Sequence, residues 1–436
     1  MEKKEGSPYK FTRVPKLVKK EEELLADIER QMGGQMAENT LSKEQREVFE
    51  AVVSWYERRG DSGVLTVGGY AGVGKSTLIS VLAHHYRDES VAFCALTGKA
   101  TSVLRKKFAE AGVVAFAHET STLHSLLYRP ITDSKTGALV EWKRRYDLDS
   151  YSLIVVDEAS MLDKTLFDDL QAHGVPILAV GDHGQLPPIT GNFNLMKNPD
   201  YKLETIHRQA ADSPILALSA LVRRTGQIPR FCADGHEVQV LPYDQLHDVV
   251  FSLFGHKGLR YDDVGLLVFT NRERIALNDL ARTARWGKTV FSGPLVGDQV
   301  ILLKNVEGHI FNGMRGIITH LDPAYETKYN YYGKVLFEDE EIEVEGPICR
   351  AQFGQPGTIK DFNDYLRLTG RRVHNWDSIG LLMDYGYAMT IHKAQGSSYE
   401  HVIVVNDVPR AMDFDTKKRA LYTAITRASK YLVVLQ

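Results

Sequence analysis

Along the chain, short continuous apolar runs alternate with stretches in which apolar residues return every three or four positions. Residues 64–67, 91–96, 153–156 and 175–180 are runs of the first kind, with the length and bulk of strands buried on both faces. Helical spacing separates them. Val48, Phe49, Val52, Val53 and Tyr56 form one such stripe behind Ser42-Lys43-Glu44-Gln45, a capping box with Ser42 as N-cap and Gln45 reaching back to its amide. A further helix is expected over 75–86. Strands alternating with helices predict a parallel α/β sheet. A second set follows, with strands at 264–269, 402–405 and 431–435 and helices around 272–284 and 417–426. Between 293 and 379 the pattern changes. Gly297 to Leu303 and Gly316 to Thr319 flank Asn312-Gly313, a tight-turn dipeptide, and 334–337 and 341–344 continue the β character. That stretch reads as a small barrel-like insertion. Near the N-terminus, residues 21–32 suit a short amphipathic helix ended by Gly33-Gly34.

The length of 436 residues suggests about three domains. Apolar residues at 43 % and charged residues at 25 % exclude a wholly disordered or collagen-like chain. Cys94, Cys232 and Cys349 are odd in number and lack CxxC spacing, which argues against a disulfide framework or a cysteine zinc site. No run approaches the length of a membrane span, and the basic N-terminus lacks an apolar signal region, so a cytoplasmic location is expected. The net charge of −3 leaves room for a local basic groove. Lys3, Lys4, Lys10, Arg13, Lys16, Lys19 and Lys20 face only Glu2 and Glu5 in the first twenty residues. This stretch is either a solvated tail or an arm that touches phosphates.

Chemistry enters at the end of the first strand. Gly69-Tyr70-Ala71-Gly72-Val73-Gly74-Lys75-Ser76 is a complete P-loop in strand–loop–helix context. Gly69, Gly72 and Gly74 let backbone N–H groups close around phosphates at the positive end of a helix. Lys75 is expected to bridge the β- and γ-phosphates, and Ser76 to ligate Mg²⁺. The strand at 153–156 ends in Asp157-Glu158, where Asp157 suits the metal and Glu158 suits activation of an attacking water. No guanine-reading [NT]KxD follows a later strand, and no LSGGQ is present, so ATP is the expected nucleotide.

Four more motifs follow in order: Gly181-Asp182-His183-Gly184-Gln185-Leu186-Pro187-Pro188, Ile206-His207-Arg208-Gln209, Thr390-Ile391-His392-Lys393-Ala394-Gln395-Gly396 and Tyr422-Thr423-Ala424-Ile425-Thr426-Arg427. With them the sequence resembles the superfamily 1 DNA helicases of the RecD-like, 5′-to-3′ branch. The resemblance implies an α/β protein of two RecA-like parallel-sheet P-loop lobes with ATP and Mg²⁺ between them. It places lobe 1 at 41–200, with a strand-separating hairpin insert at 128–150. Lobe 2 then falls at 201–292 and 380–436, split by an SH3-like β insertion at 293–379, and residues 1–40 form a basic arm.

The same resemblance assigns roles to residues. Gln185 is similar to the γ-phosphate sensor, and Arg208 and Arg427 to the arginines that reach over from the second lobe. Gln45 matches the adenine-reading glutamine, in competition with its capping-box role. Thr77 and Gly396 join the nucleotide-binding set. Thr97, Lys99, Thr101 and His124 match the DNA-contacting motifs of lobe 1. Thr390, His392 and Lys393 match the motif of lobe 2 that touches DNA, although His392 also suits a structural histidine. Residues 133–137 would turn the hairpin, with Trp142 or Val140 meeting the duplex junction or else packing on its own domain. Arg371, Arg372, His374 and Trp376 suit single-strand binding or a solvated loop. The implied activity is an ATP-dependent DNA helicase, expected as a monomer on single-stranded DNA and strand junctions beside replication or recombination proteins. A translocase that only strips proteins from DNA, and a nucleotide-switched binding module, are the rival readings.

Overall fold

The computed structural model describes residues 8–13, 41–58, 63–113, 118–132, 139–188, 193–205, 213–230, 232–233, 237–255, 263–287, 293–306, 310, 312–337 and 342–436. The expected helix at 21–32 and the hairpin turn at 133–137 lie outside them.

The first strand, β1 (Lys10–Arg13), finds its partner late in the chain. The first α/β unit then begins with α1 (Lys43–Glu57), whose capping box forms as the sequence predicts. It continues through β2 (Val64–Gly69), α2 (Lys75–His85), β3 (Val91–Ala95), α3 (Gly98–Glu110), β4 (Glu119–Thr122) and α4 (Leu123–Leu127). A two-stranded hairpin, β5 (Tyr128–Thr132) and β6 (Leu139–Arg144), projects before β7 (Leu153–Asp157), α5 (Lys164–Gln171), β8 (Ile177–Gly181) and β9 (Tyr201–Leu203). The sheet order is β4-β3-β7-β8-β2-β9, all parallel. β3, β7 and β8 are apolar runs covered on both faces, as expected of a sheet with helices above and below. β9 pairs with β2, so the first sheet extends past residue 200, where the sequence reading ended it.

The second unit runs through α6 (Pro214–Thr225), β10 (Cys232–Ala233), β11 (Val238–Leu241), α7 (Leu246–Phe254), β12 (Val264–Val268) and α8 (Asn271–Trp286). The chain then leaves for an antiparallel sheet, β13 (Gln299–Leu302), β14 (Arg315–Leu321), β15 (Asn330–Phe337) and β16 (Ile342–Cys349), followed by α9 (Phe362–Thr369) and β17 (Met383–Tyr385). It returns as β18 (Ala388–Thr390), β19 (Tyr399–Val405), α10 (Phe414–Ile425) and β20 (Ala428–Leu435). The second sheet, β10-β11-β20-β19-β12-β18, is parallel except for β10.

The inserted sheet has the order β1-β16-β15-β14-β13-β17. Tyr9 is buried in its core, β1 pairs antiparallel with β16, and Lys10 bonds Glu345 at 3.0 Å. Residues Lys10–Arg13 are therefore an edge strand and not a solvated tail or a phosphate-touching arm, while Lys3, Lys4, Lys16, Lys19 and Lys20 lie outside the described residues. The sheet also reaches β17, beyond residue 379. β13 and β14 pair, but Asn312-Gly313 belongs to a longer connection with an inner bridge between Val306 and Ile310, not to a two-residue hairpin turn. Two buried ion pairs fasten the insertion to α8: Arg282 with Asp298 at 2.9 Å and Arg274 with Asp384 at 2.6 Å.

Candidate active site

The P-loop strand and the acid-pair strand are separated in the sheet by β8, so three loops converge at their carboxyl ends. In the first loop Gly72 and Gly74 take φ of 81° and 79°, a region that glycine enters without a Cβ penalty. Lys75 Nζ donates to the carbonyls of Gly69 (2.8 Å) and Tyr70 (3.0 Å), folding the loop around its own cation. Ser76 is half-buried in the first turn of α2 and Thr77 is exposed beside it.

Gln45 is buried behind this loop. Its Oε1 accepts from the Ser42 amide (2.9 Å), and its Nε2 donates to the carbonyls of Val73 and Gly74 (both 3.2 Å). Both amide hydrogens are spent on the P-loop, so in this arrangement Gln45 is a helix cap and loop brace, not an adenine reader.

At the second loop, Glu158 has φ of 55° and is the one non-glycine residue with positive φ among the described residues. Such strain clusters where geometry serves function. Its amide donates to Asp157 Oδ1 (2.8 Å), and its buried Oε2 has no hydrogen-bond partner. Burial, and then the neighbouring Glu158, push the Asp157 carboxyl up to about 6, while Lys75 and Lys107 pull it back. A half-buried acid pair with an unpaired oxygen fits a divalent cation, with Ser76 of the P-loop helix as the hydroxyl ligand.

The third loop joins this site to lobe 2. Gln185 is buried, with Nε2 on Asp182 Oδ2 (3.3 Å) and Oε1 unpartnered. Asp182 also accepts from the Gly184 amide (2.8 Å) and the Tyr422 hydroxyl (2.8 Å). Arg419 Nη1 donates to the carbonyls of His183 (2.7 Å) and Gln185 (3.1 Å). Thr423 Oγ1 accepts from the Leu186 amide (3.0 Å), and Gln395 Nε2 donates to the Leu186 carbonyl (2.8 Å). The Tyr422 oxygen additionally accepts from the P-loop amide of Ala71 (2.8 Å). Asp182, Gln395 and Tyr422 sit inside the sequence motifs but have no role there that spacing alone assigns, and Arg419 lies just ahead of the last motif, one helical turn before Thr423.

Of the two expected arginines, Arg427 does not meet the P-loop in this arrangement. Arg208 lies outside the described residues. Arg427 is buried and committed to its own lobe: Nε donates to Thr423 O (3.1 Å), Nη1 to Ser397 O (3.1 Å) and Nη2 to Thr426 Oγ1 (3.3 Å). The expectation that it reaches across is not what this arrangement shows. The cause is local: the end of α10 and the 397 turn present free carbonyls that a guanidinium satisfies. Gly396, expected at the nucleotide, has φ of 70° and faces lobe 1 at Thr97, whose Oγ1 would lie 3.2 Å from an added Cβ.

A second cavity, of about 470 Å³, opens where both lobes and the insertion meet. Thr97, Lys99 and His124 line it from lobe 1, His392 and Lys393 from lobe 2, and Asn312 and Arg315 from the insertion. Lys99 Nζ lies 4.0 Å from the ring centroid of Tyr399, a contact between lobes. Burial lowers the histidines at 124 and 392, which keeps both neutral near pH 7. Thr101 and Thr390 do not line the cavity. Thr101 is buried, and its hydroxyl donates to the Thr97 carbonyl (3.0 Å). Thr390 ends β18, half-buried. Trp142 stands opposite Pro130 in the hairpin register. Its side chain and that of Val140 lie outside the described residues. The basic and aromatic residues near 371–376 are partly spent on one another: the Arg371 guanidinium covers Tyr329 (4.8 Å) and Lys304 covers Trp376 (2.6 Å).

Comparison with known proteins finds relatives along most of the chain. A family model described as "AAA domain" matches residues 40–239, and one described as "UvrD-like helicase C-terminal domain" matches 385–435. In this order of matches the chain is similar to the superfamily 1 helicases of RecD/Pif1 type. It is 24 % identical over 456 residues to "ATP-dependent DNA helicase dda" of Enterobacteria phage T4, covering 90 % of this chain and 98 % of that one. It is 28 % identical to "ATP-dependent RecD2 DNA helicase" of Deinococcus radiodurans over 90 % of this chain but only 48 % of that protein. Against "Conjugal transfer protein TraA" of Rhizobium radiobacter it is 27 % identical and spans 32 % of the relative. Among solved structures, one titled "Crystal structure of Bacteroides Pif1 bound to ssDNA" aligns with a TM-score of 0.49 at 18 % identity, covering 90 % of this chain and 92 % of that one. Among the described residues, no helix is long and apolar enough to cross a membrane.

Proposed function

We propose that this protein is an ATP-dependent DNA helicase that tracks along single-stranded DNA, 5′ to 3′, and displaces the complementary strand. The observation that carries this reading is the third loop. The segment beside the P-loop is held by five side-chain bonds from lobe 2, so a change at the phosphates is felt by the second lobe.

In this reading Lys75 and the P-loop amides bind the triphosphate. Ser76 and Asp157 would hold Mg²⁺, which neutralises charge on the phosphates when bound. The unpaired Glu158 Oε2 accepts a proton from the attacking water, and the free Oε1 of Gln185 registers the occupant of the terminal phosphate position. The cavity between lobes and insertion is the single-strand groove, gripped by Lys99, Lys393 and Arg315 through phosphates, with little base reading. ATP moves the chain only through a difference in DNA affinity between open and closed arrangements of the lobes. Trp142, on the hairpin, is the proposed wedge at the junction. The working units are the two lobes and the insertion, in a cytoplasmic monomer.

The test is ATP turnover with and without single-stranded DNA, followed by unwinding of forked duplexes with 5′ or 3′ tails. Strong stimulation with displacement of the 5′-tailed fork supports the reading. Stimulated turnover with no displacement selects the protein-stripping translocase. Turnover indifferent to DNA selects the binding module.

A further inference from the structure

Among the described residues, one guanidinium at the P-loop is unexplained by the ATP-site reading. Arg223 stands on α6, whose buried residues Ile215, Leu218 and Val222 pack with Leu421 and Ala424 of α10 in the core of lobe 2. Its neighbour Val222 fixes the helix in that core, and Arg223 turns the other way, toward lobe 1. Its guanidinium carbon lies 3.3 Å from the ring centroid of Tyr70, the second residue of the P-loop.

Tyr70 is itself held. The ring of His183 packs on it with centroids 4.1 Å apart, and Gly184 leaves room for it, since a Cβ there would lie 3.0 Å from the Tyr70 ring. The Tyr70 carbonyl accepts from Lys75, and the next amide, of Ala71, is bonded to Tyr422. Arg223 is thus stacked against the phosphate loop at a fixed position. Its Nη1 is buried and has no hydrogen-bond partner. A buried guanidinium N–H left unpaired is costly, and the usual partner for such a fork is a carboxylate or phosphate. Arg427, expected to supply that fork, has every nitrogen on a carbonyl or hydroxyl of its own lobe.

We propose that Arg223 is a further catalytic arginine, delivered from lobe 2 and aligned by stacking on Tyr70, that contacts the terminal phosphate of bound ATP. The proposal rests on the ATP reading of the P-loop. Its chemistry is charge stabilisation alone: the guanidinium donates to phosphate oxygens as water displaces ADP, and it neither gains nor loses a proton. Because the contact is to the terminal phosphate, it distinguishes ATP from ADP. Because it comes from the second lobe, it forms with the lobes together.

The experiment uses the full chain with saturating single-stranded DNA and compares Arg223→Ala, Arg223→Lys and Lys75→Ala. Affinities for a non-hydrolysable ATP analogue and for ADP are measured beside turnover. We expect Arg223→Ala to lower kcat by at least ~10²-fold, and to lose most of the preference for the triphosphate analogue over ADP, with ADP affinity unchanged. Arg223→Lys keeps the charge but not the fork, and recovers only part of kcat. It carries the same test should Arg223→Ala not fold. Wild-type kcat and wild-type analogue-over-ADP preference in the folded Arg223 variants, with Lys75→Ala dead, overturn the arginine assignment alone. An equal loss of analogue and ADP affinity also overturns it, because that marks a brace for Tyr70. Full turnover in Lys75→Ala instead overturns the P-loop reading beneath it.

Discussion

The hydroxyl oxygen of Tyr422 lies 2.8 Å from the backbone nitrogen of Ala71, across the cleft between the two lobes. The same hydroxyl donates its proton to Asp182 at 2.8 Å, so one side chain of lobe 2 touches both the P-loop and the loop after β8. Burial, with the Asp182 charge beside it, keeps the phenol protonated at all working pH values. It is therefore a fixed donor and acceptor, suited to transmitting position.

Tyr422→Phe keeps the ring and removes both bonds. Asp182 then lacks one donor, and the Ala71 amide is free. Stimulation of ATP turnover by single-stranded DNA should fall about tenfold, a value set by the loss of ~1–2 kcal/mol of coupling between sites. Basal turnover should change little. Turnover with and without DNA checks this, and undiminished stimulation would show that the latch is only structural.

Glu158→Gln is nearly isosteric and leaves the backbone at φ 55° undisturbed. It removes the proton acceptor. We expect kcat to fall by roughly 10²–10⁴-fold, with binding of a non-hydrolysable analogue retained. The paired measurement separates chemistry from binding, and a variant that loses analogue binding would make Glu158 a binding residue.

Lys393 lines the groove and is exposed to solvent there, with Arg274 and Asp384 near enough to act on its charge. Partial burial, reinforced by Arg274 and opposed by Asp384, lowers it to about 8. A DNA phosphate favours the charged form and raises that value, so binding takes up a proton. Affinity for single-stranded DNA should therefore fall as pH rises through about 8, and the fall should be smaller in Lys393→Ala. Titrations at fixed ionic strength from pH 7 to 9 test it; identical pH profiles for the two proteins would refute the assignment.

Asp298 accepts from Arg282 (2.9 Å), the Trp286 indole (3.0 Å), the Tyr387 hydroxyl (2.8 Å) and the Leu295 amide (2.8 Å), with no exposure to solvent. Asp298→Asn leaves the Arg282 charge buried without its counter-charge. Such removals cost about 3–5 kcal/mol. Denaturant unfolding should show that loss, and a change below ~1 kcal/mol would mean that water or another acid replaces the carboxylate.

Much of the fold was legible because the information is local. The apolar runs that became β3, β7 and β8 are short, rich in strand-forming residues and buried on both faces as central strands are, and the Ser42–Gln45 box announces α1 within four residues. The P-loop and Asp157-Glu158 were legible for a related reason, since phosphate chemistry needs particular residue types at fixed spacing. β1 was hidden. Four residues of mixed polarity carry no strand signal of their own, and only the exposed edge of β16 gives them a ladder to complete. The end of lobe 1 was misplaced for the same reason, because β9 is three residues long and is defined by its partner β2. The donors of Gln45 and Arg427 were misdirected, because the carbonyls that capture them come from the loop and turn geometry around them.

The sequence by itself determined the phosphate loop, the acid pair, the order of the motifs and the alternation that makes two parallel sheets, because each is written in contiguous residues and their period. Only the tertiary structure decided which side chains cross the cleft. Tyr422, Arg419 and Arg223 are brought to lobe 1 by the packing of α6 and α10 on the second sheet. No spacing along the chain encodes a contact between residues 70 and 223, since that distance is closed by burial of apolar faces far from either one.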